Sequence, residues 1–148
     1  MNEFTITKHI DAPVETVWEV LDDFGNIQQW NAGVKASEQT SDGAVAEGST
    51  RHCDFKPFGA VNERIERYEP NQRMTIDLYE TFKLPISHAT ADFKLAAERD
   101  GTALTIHYSY ALNRLGRAAK GVTDSQLRKG LGGLADGLAI ESERLTTT

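Results

Sequence analysis

Cysteine is almost absent: Cys53 stands alone in 148 residues. One cysteine excludes an internal disulfide framework and any Cys/His zinc cluster, and it fits a reducing cytosol, so a cytoplasmic location is expected. Long apolar runs are missing too. No stretch approaches the roughly 18 to 20 residues a membrane-spanning helix needs, and integral membrane association is not expected. The opening segment, Met1 to Lys8, lacks the basic flank, apolar run and small-residue cleavage site of a secretory signal. Positive charge is in deficit: 16 Lys and Arg against 22 Asp and Glu give a formal net charge of -6. That balance disfavours nucleic acid or an anionic membrane as the main partner, because both demand a positive surface. The one basic stretch, Arg114, Arg117 and Lys120 around Gly116 and Gly121, lacks the GxxxxGK[ST] order of a phosphate loop and reads as a turn into the last helix.

What is present suits a self-folding chain. With 39% hydrophobic and 26% charged residues, the composition is too apolar for disorder, and the length matches a single domain spanning 1–148. Residues 3–10 alternate, with Phe4, Ile6 and Ile10 on one face and only Lys8 breaking the apolar series, as in a half-buried strand. Pro13 opens an amphipathic helix over 13–22, in which Val14, Val17, Trp18 and Leu21 share a face. Gly25 is expected to end it, and 26–30 to form a second short helix or turn.

From there to about residue 112, turn signals recur at 41–43, 57–59, 69–71, 84–85 and 100–101. They bound strands near 48–55, 60–69, 72–80, 87–98 and 102–112. Met74, Ile76 and Leu78 fall on one face, as do Ala89, Ala91, Phe93 and Leu95, and Leu104, Ile106, Tyr108 and Tyr110. Such a meander has one wet and one dry face, and the dry face needs a cover. The cover predicted is a helix over about 122–145, carrying Leu127, Leu131, Leu134, Leu138 and Leu145 and capped by Thr123 or Asp124. Gly130, Gly132, Gly133 and Gly137 each lower its helix propensity by up to ~1 kcal/mol, which suggests close approach of its backbone to the sheet, a ligand or another subunit.

The string IDAPVETVWEVLDDFGNIQQW at 10–30 resembles the opening of the polyketide cyclase/dehydrase-like branch of the START-related (SRPBCC) superfamily. The similarity continues through Gly48-Ser49-Thr50-Arg51, Glu63-Arg64-Ile65, Tyr68-Glu69, Leu84-Pro85-Ile86 and the last helix, nearly the whole chain. The resemblance implies an α+β helix-grip fold: a curved seven-stranded antiparallel sheet wrapped around a long C-terminal helix, with two short N-terminal helices and a deep cavity. Members bind lipids, sterols, polyketides or hormones, and a few catalyse cyclisation or dehydration.

Arg51 and Glu63 are the most informative pair of candidates. If 56–58 form the hairpin loop, Arg51 lies opposite Glu63 on the face of Cys53, Phe55, Val61 and Ile65, where two opposite charges need each other. The pair reads either as a fold-specifying salt bridge or as polar anchors for a ligand. Tyr108 and Tyr110 can pack and also donate a hydrogen bond. Trp30 is placed to close the cavity or to pack the lid onto the core. With Met74, Ile76, Leu78, Phe93, Leu131 and Leu134, these residues make the expected ligand-binding wall. His9, His52, His88 and His107 read as solvated strand positions without an orienting carboxylate, and Cys53 as a small core hydrophobe. No metal site, cofactor or catalytic residue is assigned.

Three functions are open at this stage: binding of a small hydrophobic, lipid- or polyketide-like molecule; cyclase or dehydratase chemistry assisted by Arg51, Glu63 or Tyr108; and a protein-interaction module.

Overall fold

A strand whose every second residue is apolar has one face that must leave water, and that rule organises most of this chain. The computed structural model describes residues 2–147. Strands β1 (Asn2–Ile10), β2 (Val34–Gln39), β3 (Thr50–Phe55), β4 (Ala60–Glu69), β5 (Arg73–Phe82), β6 (Ile86–Glu98) and β7 (Gly101–Leu112) form a single sheet in the order β1-β7-β6-β5-β4-β3-β2. Every neighbouring pair is antiparallel. Helix α1 (Val14–Asp22) and a 3₁₀ segment (Phe24–Gln29) join β1 to β2, while α2 (Arg114–Ala118) and α3 (Lys120–Thr146) follow β7. This is the α+β helix-grip architecture, an open curved sheet facing a long C-terminal helix.

The three inward series expected on β5, β6 and β7 are all buried, from Met74 through Tyr110. The β4–β5 pairing shifts register between Asn62 and Glu63 and again between Ile65 and Arg67. Such bulges bend and twist a strand, and here they help curve the sheet toward α3. Lys8, the exception on the apolar face of β1, reaches α3 and pairs with Asp136 at 3.1 Å.

Some local expectations are corrected. Gly25 does not end a helix but sits inside the 3₁₀ segment, where a Cβ would lie 2.9 Å from the backbone N of Gln39 on β2. The basic stretch after β7 is not a turn alone: it forms α2, capped by the Asn113 side chain, which accepts from the Gly116 N–H at 3.0 Å. Neither Thr123 nor Asp124 caps α3, which begins at Lys120 with no side-chain cap. Thr123 is buried instead, and Asp124 accepts a hydrogen bond from the Tyr110 phenol. Of the α3 glycines, Gly137 makes a close approach, but to the end of the 3₁₀ segment and not to the sheet: a Cβ there would stand 2.2 Å from the Trp30 carbonyl oxygen, whereas Gly130, Gly132 and Gly133 have open space beside them.

Candidate functional site

The sheet and the first half of α3 enclose a cavity of about 370 Å³, toward the small end of the ~300 to 1,000 Å³ range of small-molecule sites. Its space comes from residues that do not fill it. Gly33 in the turn before β2, Ala91 on β6 and Gly130 on α3 all lie in the wall. Meanwhile Ala135, Leu138 and Ala139 are tightly buried further along α3, and the helix runs close to β1 and α1 there. That packed end holds the rest of the helix off the central strands.

Seven polar side chains interrupt the otherwise apolar wall: Asn31, Lys56, Thr123 and Gln126 from loops and α3, and Arg51, Glu63 and Tyr108 from the inner face of the sheet. Pairing across the β3–β4 hairpin sets Arg51 opposite Glu63 and Cys53 opposite Val61, and the Phe55 N–H donates to the Gly59 carbonyl at 2.8 Å. Arg51 and Glu63 are 5% and 7% exposed, and burial at that depth demands partners. Arg51 Nε donates to Glu63 Oε1 at 2.6 Å and Nη1 donates to the Phe24 carbonyl at 3.0 Å. The guanidinium also lies over the Phe24 ring, 4.1 Å from its centroid. So the 3₁₀ segment, through Phe24, helps fix the cation at the cavity wall. Cys53 Sγ donates weakly to Glu63 Oε1 at 3.6 Å. Burial, with the Glu63 charge beside it, pushes the Cys53 thiol far up, so it stays protonated and is no nucleophile.

Tyr108 completes the set from β7, lining the same cavity. Its ring packs against Phe4 and Tyr110, and its hydroxyl makes no hydrogen bond among the described residues. Burial, then the Glu63 charge, pushes its pKa well above the ordinary phenol value. At neutral pH it is a hydrogen-bond donor and not a base.

The structure brings Arg51, Glu63, Ile76, Leu78, Phe93, Tyr108, Leu131 and Leu134 to the wall of this cavity and leaves three expected residues out of it. Met74 is fully buried one residue pair further along β5. Tyr110 turns its hydroxyl to Asp124. Trp30 stands at a separate hollow of about 280 Å³ beside Gly133 and Gly137, with its Nε1 buried and unpartnered among the described residues. Sequence reading missed several wall residues. Strand period already puts Cys53, Phe55 and Val61 on the face of Arg51 and Glu63, and that face is the wall. Leu127 lies one helical turn before Leu131. Leu84 and Pro85 belong to a turn, whose inward direction no periodicity reports.

The histidines do have carboxylate neighbours, contrary to expectation. His9 is bonded to Glu98 and Asp11, His52 to Asn62 and Asp54, and His88 to Asp77, while His107 is 3.8 Å from Glu3. Strand alternation puts all four on the sheet face opposite the cavity, remote from Arg51 and Tyr108. Among the described residues no group of three or more His, Cys, Asp or Glu is placed to hold a metal, and no helix is long and apolar enough to cross a membrane.

Comparison with solved structures agrees on the fold. A Thermus thermophilus protein superposes with a TM-score of 0.84 at 14% identity, covering 98% of this chain and 99% of that one. An aromatase/cyclase from Streptomyces gives 0.81 at 14% identity over 97% and 94%. A START superfamily protein from Mycobacterium smegmatis gives 0.78 at 19% identity over 97% and 99%. No curated protein sequence matches the chain. The sequence profile of the family described as polyketide cyclase / dehydrase and lipid transport, however, matches residues 1–139. The chain therefore belongs to that family, in the polyketide cyclase-like branch of the START-related SRPBCC proteins.

Proposed function

We propose that residues 1–148 act as one ligand-binding domain that holds a small, mainly apolar molecule bearing a carbonyl or hydroxyl group between the sheet and α3. The observation that carries this reading is the cavity itself: a mostly apolar wall in which Arg51, Glu63 and Tyr108 are the polar points of the sheet face. A pocket built this way gains affinity from apolar burial and orientation from a few polar atoms. The Tyr108 hydroxyl has no protein partner to give up, so a ligand oxygen gains a hydrogen bond there at little cost.

Holding is favoured over cyclisation or dehydration. Removing a proton from a polyketide-like chain needs a positioned base. Here Glu63 is engaged by Arg51 at 2.6 Å, Tyr108 keeps its proton, and the carboxylate-bonded histidines are on the far face.

The test is native mass spectrometry of the protein purified from its source cells, with a solvatochromic apolar dye as a second probe. A recurring stoichiometric small molecule and saturable dye uptake are expected. Leu131→Trp, which fills the cavity, should abolish both, and Tyr108→Phe should weaken a carbonyl-bearing ligand while leaving the fold intact. Dye uptake unchanged by Leu131→Trp would sink the proposal.

A further inference from the structure

The mouth of the cavity carries a charge opposite to that of the molecule. Three segments meet there. The β3–β4 turn contributes Lys56, Pro57 and Phe58 to the wall, and the β5–β6 turn contributes Leu84 and Pro85. The third, from Leu112 through α2 into the start of α3, is tied to the second: the Asn113 N–H donates to the Pro85 carbonyl at 3.1 Å, and its side-chain amide to the Leu84 carbonyl at 2.7 Å. Between them, residues 55–60, 81–86 and 112–123 hold five Lys or Arg and no Asp or Glu. The remaining 11 basic residues face all 22 acidic ones elsewhere in the chain. Lys56, Lys83, Arg114, Arg117 and Lys120 are all exposed, and none forms a salt bridge among the described residues.

The same segments expose large apolar side chains. Phe58 is 64% exposed, Leu115 69% and Val122 60%, three of the four large hydrophobics most open to solvent. Isolated exposed apolar residues mean little. Three of them interleaved with five exposed cations beside one opening are a different matter: the cations suit anionic headgroups and the apolar tips suit the acyl boundary beneath them.

From this we infer that the rim formed by the β3–β4 turn, the β5–β6 turn and α2 with the start of α3 is a docking face for an anionic lipid membrane, which sets the cavity mouth against the bilayer. A lipid surface is favoured over an acidic protein because the three apolar residues project from two separate segments, and a bilayer receives each without a shape-matched partner patch. Any exchange of ligand through the seated mouth rests on the ligand-binding reading above, whereas docking rests on the rim alone.

The experiment is co-sedimentation of the intact protein with vesicles of phosphatidylcholine, with and without a fraction of phosphatidylglycerol, at low and high salt, with dye uptake by the cavity measured in parallel. Binding is expected only to the phosphatidylglycerol vesicles and should weaken at high salt. Arg114→Glu with Lys120→Glu should reduce it by about tenfold or more, taking about fivefold for each cation lost from the surface. Leu115→Ser should reduce it severalfold even at low salt. All these residues are exposed, so thermal midpoint and dye uptake should be unchanged. Absence of vesicle binding, equal binding to neutral vesicles, or indifference to the charge reversals overturns the inference. Loss of dye uptake with vesicle binding intact would count against the ligand-binding reading alone.

Discussion

From Ala135 to Ser142, α3 is locked down: Ala135, Leu138, Ala139 and Ser142 are each at most 3% exposed. Lys8 pairs with Asp136 on this stretch, and Glu143 accepts from the Asp11 N–H at 3.0 Å. One to two turns earlier, Leu127, Leu131 and Leu134 are only half-buried and look into the cavity. The helix is continuous and leucines recur through both parts. What differs is the neighbour: the second half meets β1 and α1, the first half meets space. Side-chain type alone does not say whether a leucine is core or wall.

The largest way to break this comparison is truncation in the locked half. Leu138→Ala should cost about 2 to 5 kcal/mol, because the site has no slack into which to collapse. Leu131→Ala should cost under about 1.5 kcal/mol, since it enlarges a cavity that already exists. Urea unfolding midpoints of the two variants measure the difference, and equal losses would erase the distinction.

Next is Gly137→Ala, whose methyl would meet the Trp30 carbonyl at 2.2 Å. A loss of about 1 to 3 kcal/mol is expected from the forced backbone shift. Gly132→Ala should do the opposite and stabilise by up to about 1 kcal/mol, because its site is open and alanine is the better helix former. Thermal melts of the pair read the two signs directly.

The smallest effect concerns acid. Hydrogen bonds from Tyr110 and then Arg128 hold the Asp124 carboxyl below its ordinary range, while burial and then the Asp124 bond push the Tyr110 phenol up to about 12. A lowered folded-state pKa adds stability above the unfolded value of about 3.9 and loses it as pH falls through the folded value. The Asp124 tie between the first half of α3 and Tyr110 on β7 should therefore loosen in acid. Hydrogen exchange on descending pH would show it, and Asp124→Asn should flatten that pH dependence.

The sheet was readable because burial on one face leaves a period of two, and the Arg51–Glu63 pairing followed from the length of a single hairpin. The 3₁₀ segment was harder, since six residues carry too little periodicity to separate it from a turn. Helix α2 was hidden for a related reason: its short run of glycine, arginine and alanine has no apolar stripe of its own. The cavity was legible only as an expectation. Residues such as Met74 and Ile76 share a strand face, yet one is core and the other wall, and that depends on how far α3 stands off, which no single element encodes. Charge segregation at the mouth was out of reach for the same reason, because a net value averages over segments that only the fold brings together.

The strand order has a temporal consequence. Asn2 pairs with Tyr110 and Ile10 with Thr102, so β1 leaves the ribosome well before its partner and finds its place only after about a hundred further residues have emerged. The hairpins from β2 to β7 close locally and need not wait. Until β7 is complete, β1 is an unpaired apolar edge of the sort that invites mispairing. And because α3 is clamped by β1 and α1, the roof over the cavity is assembled only after β1 has found β7.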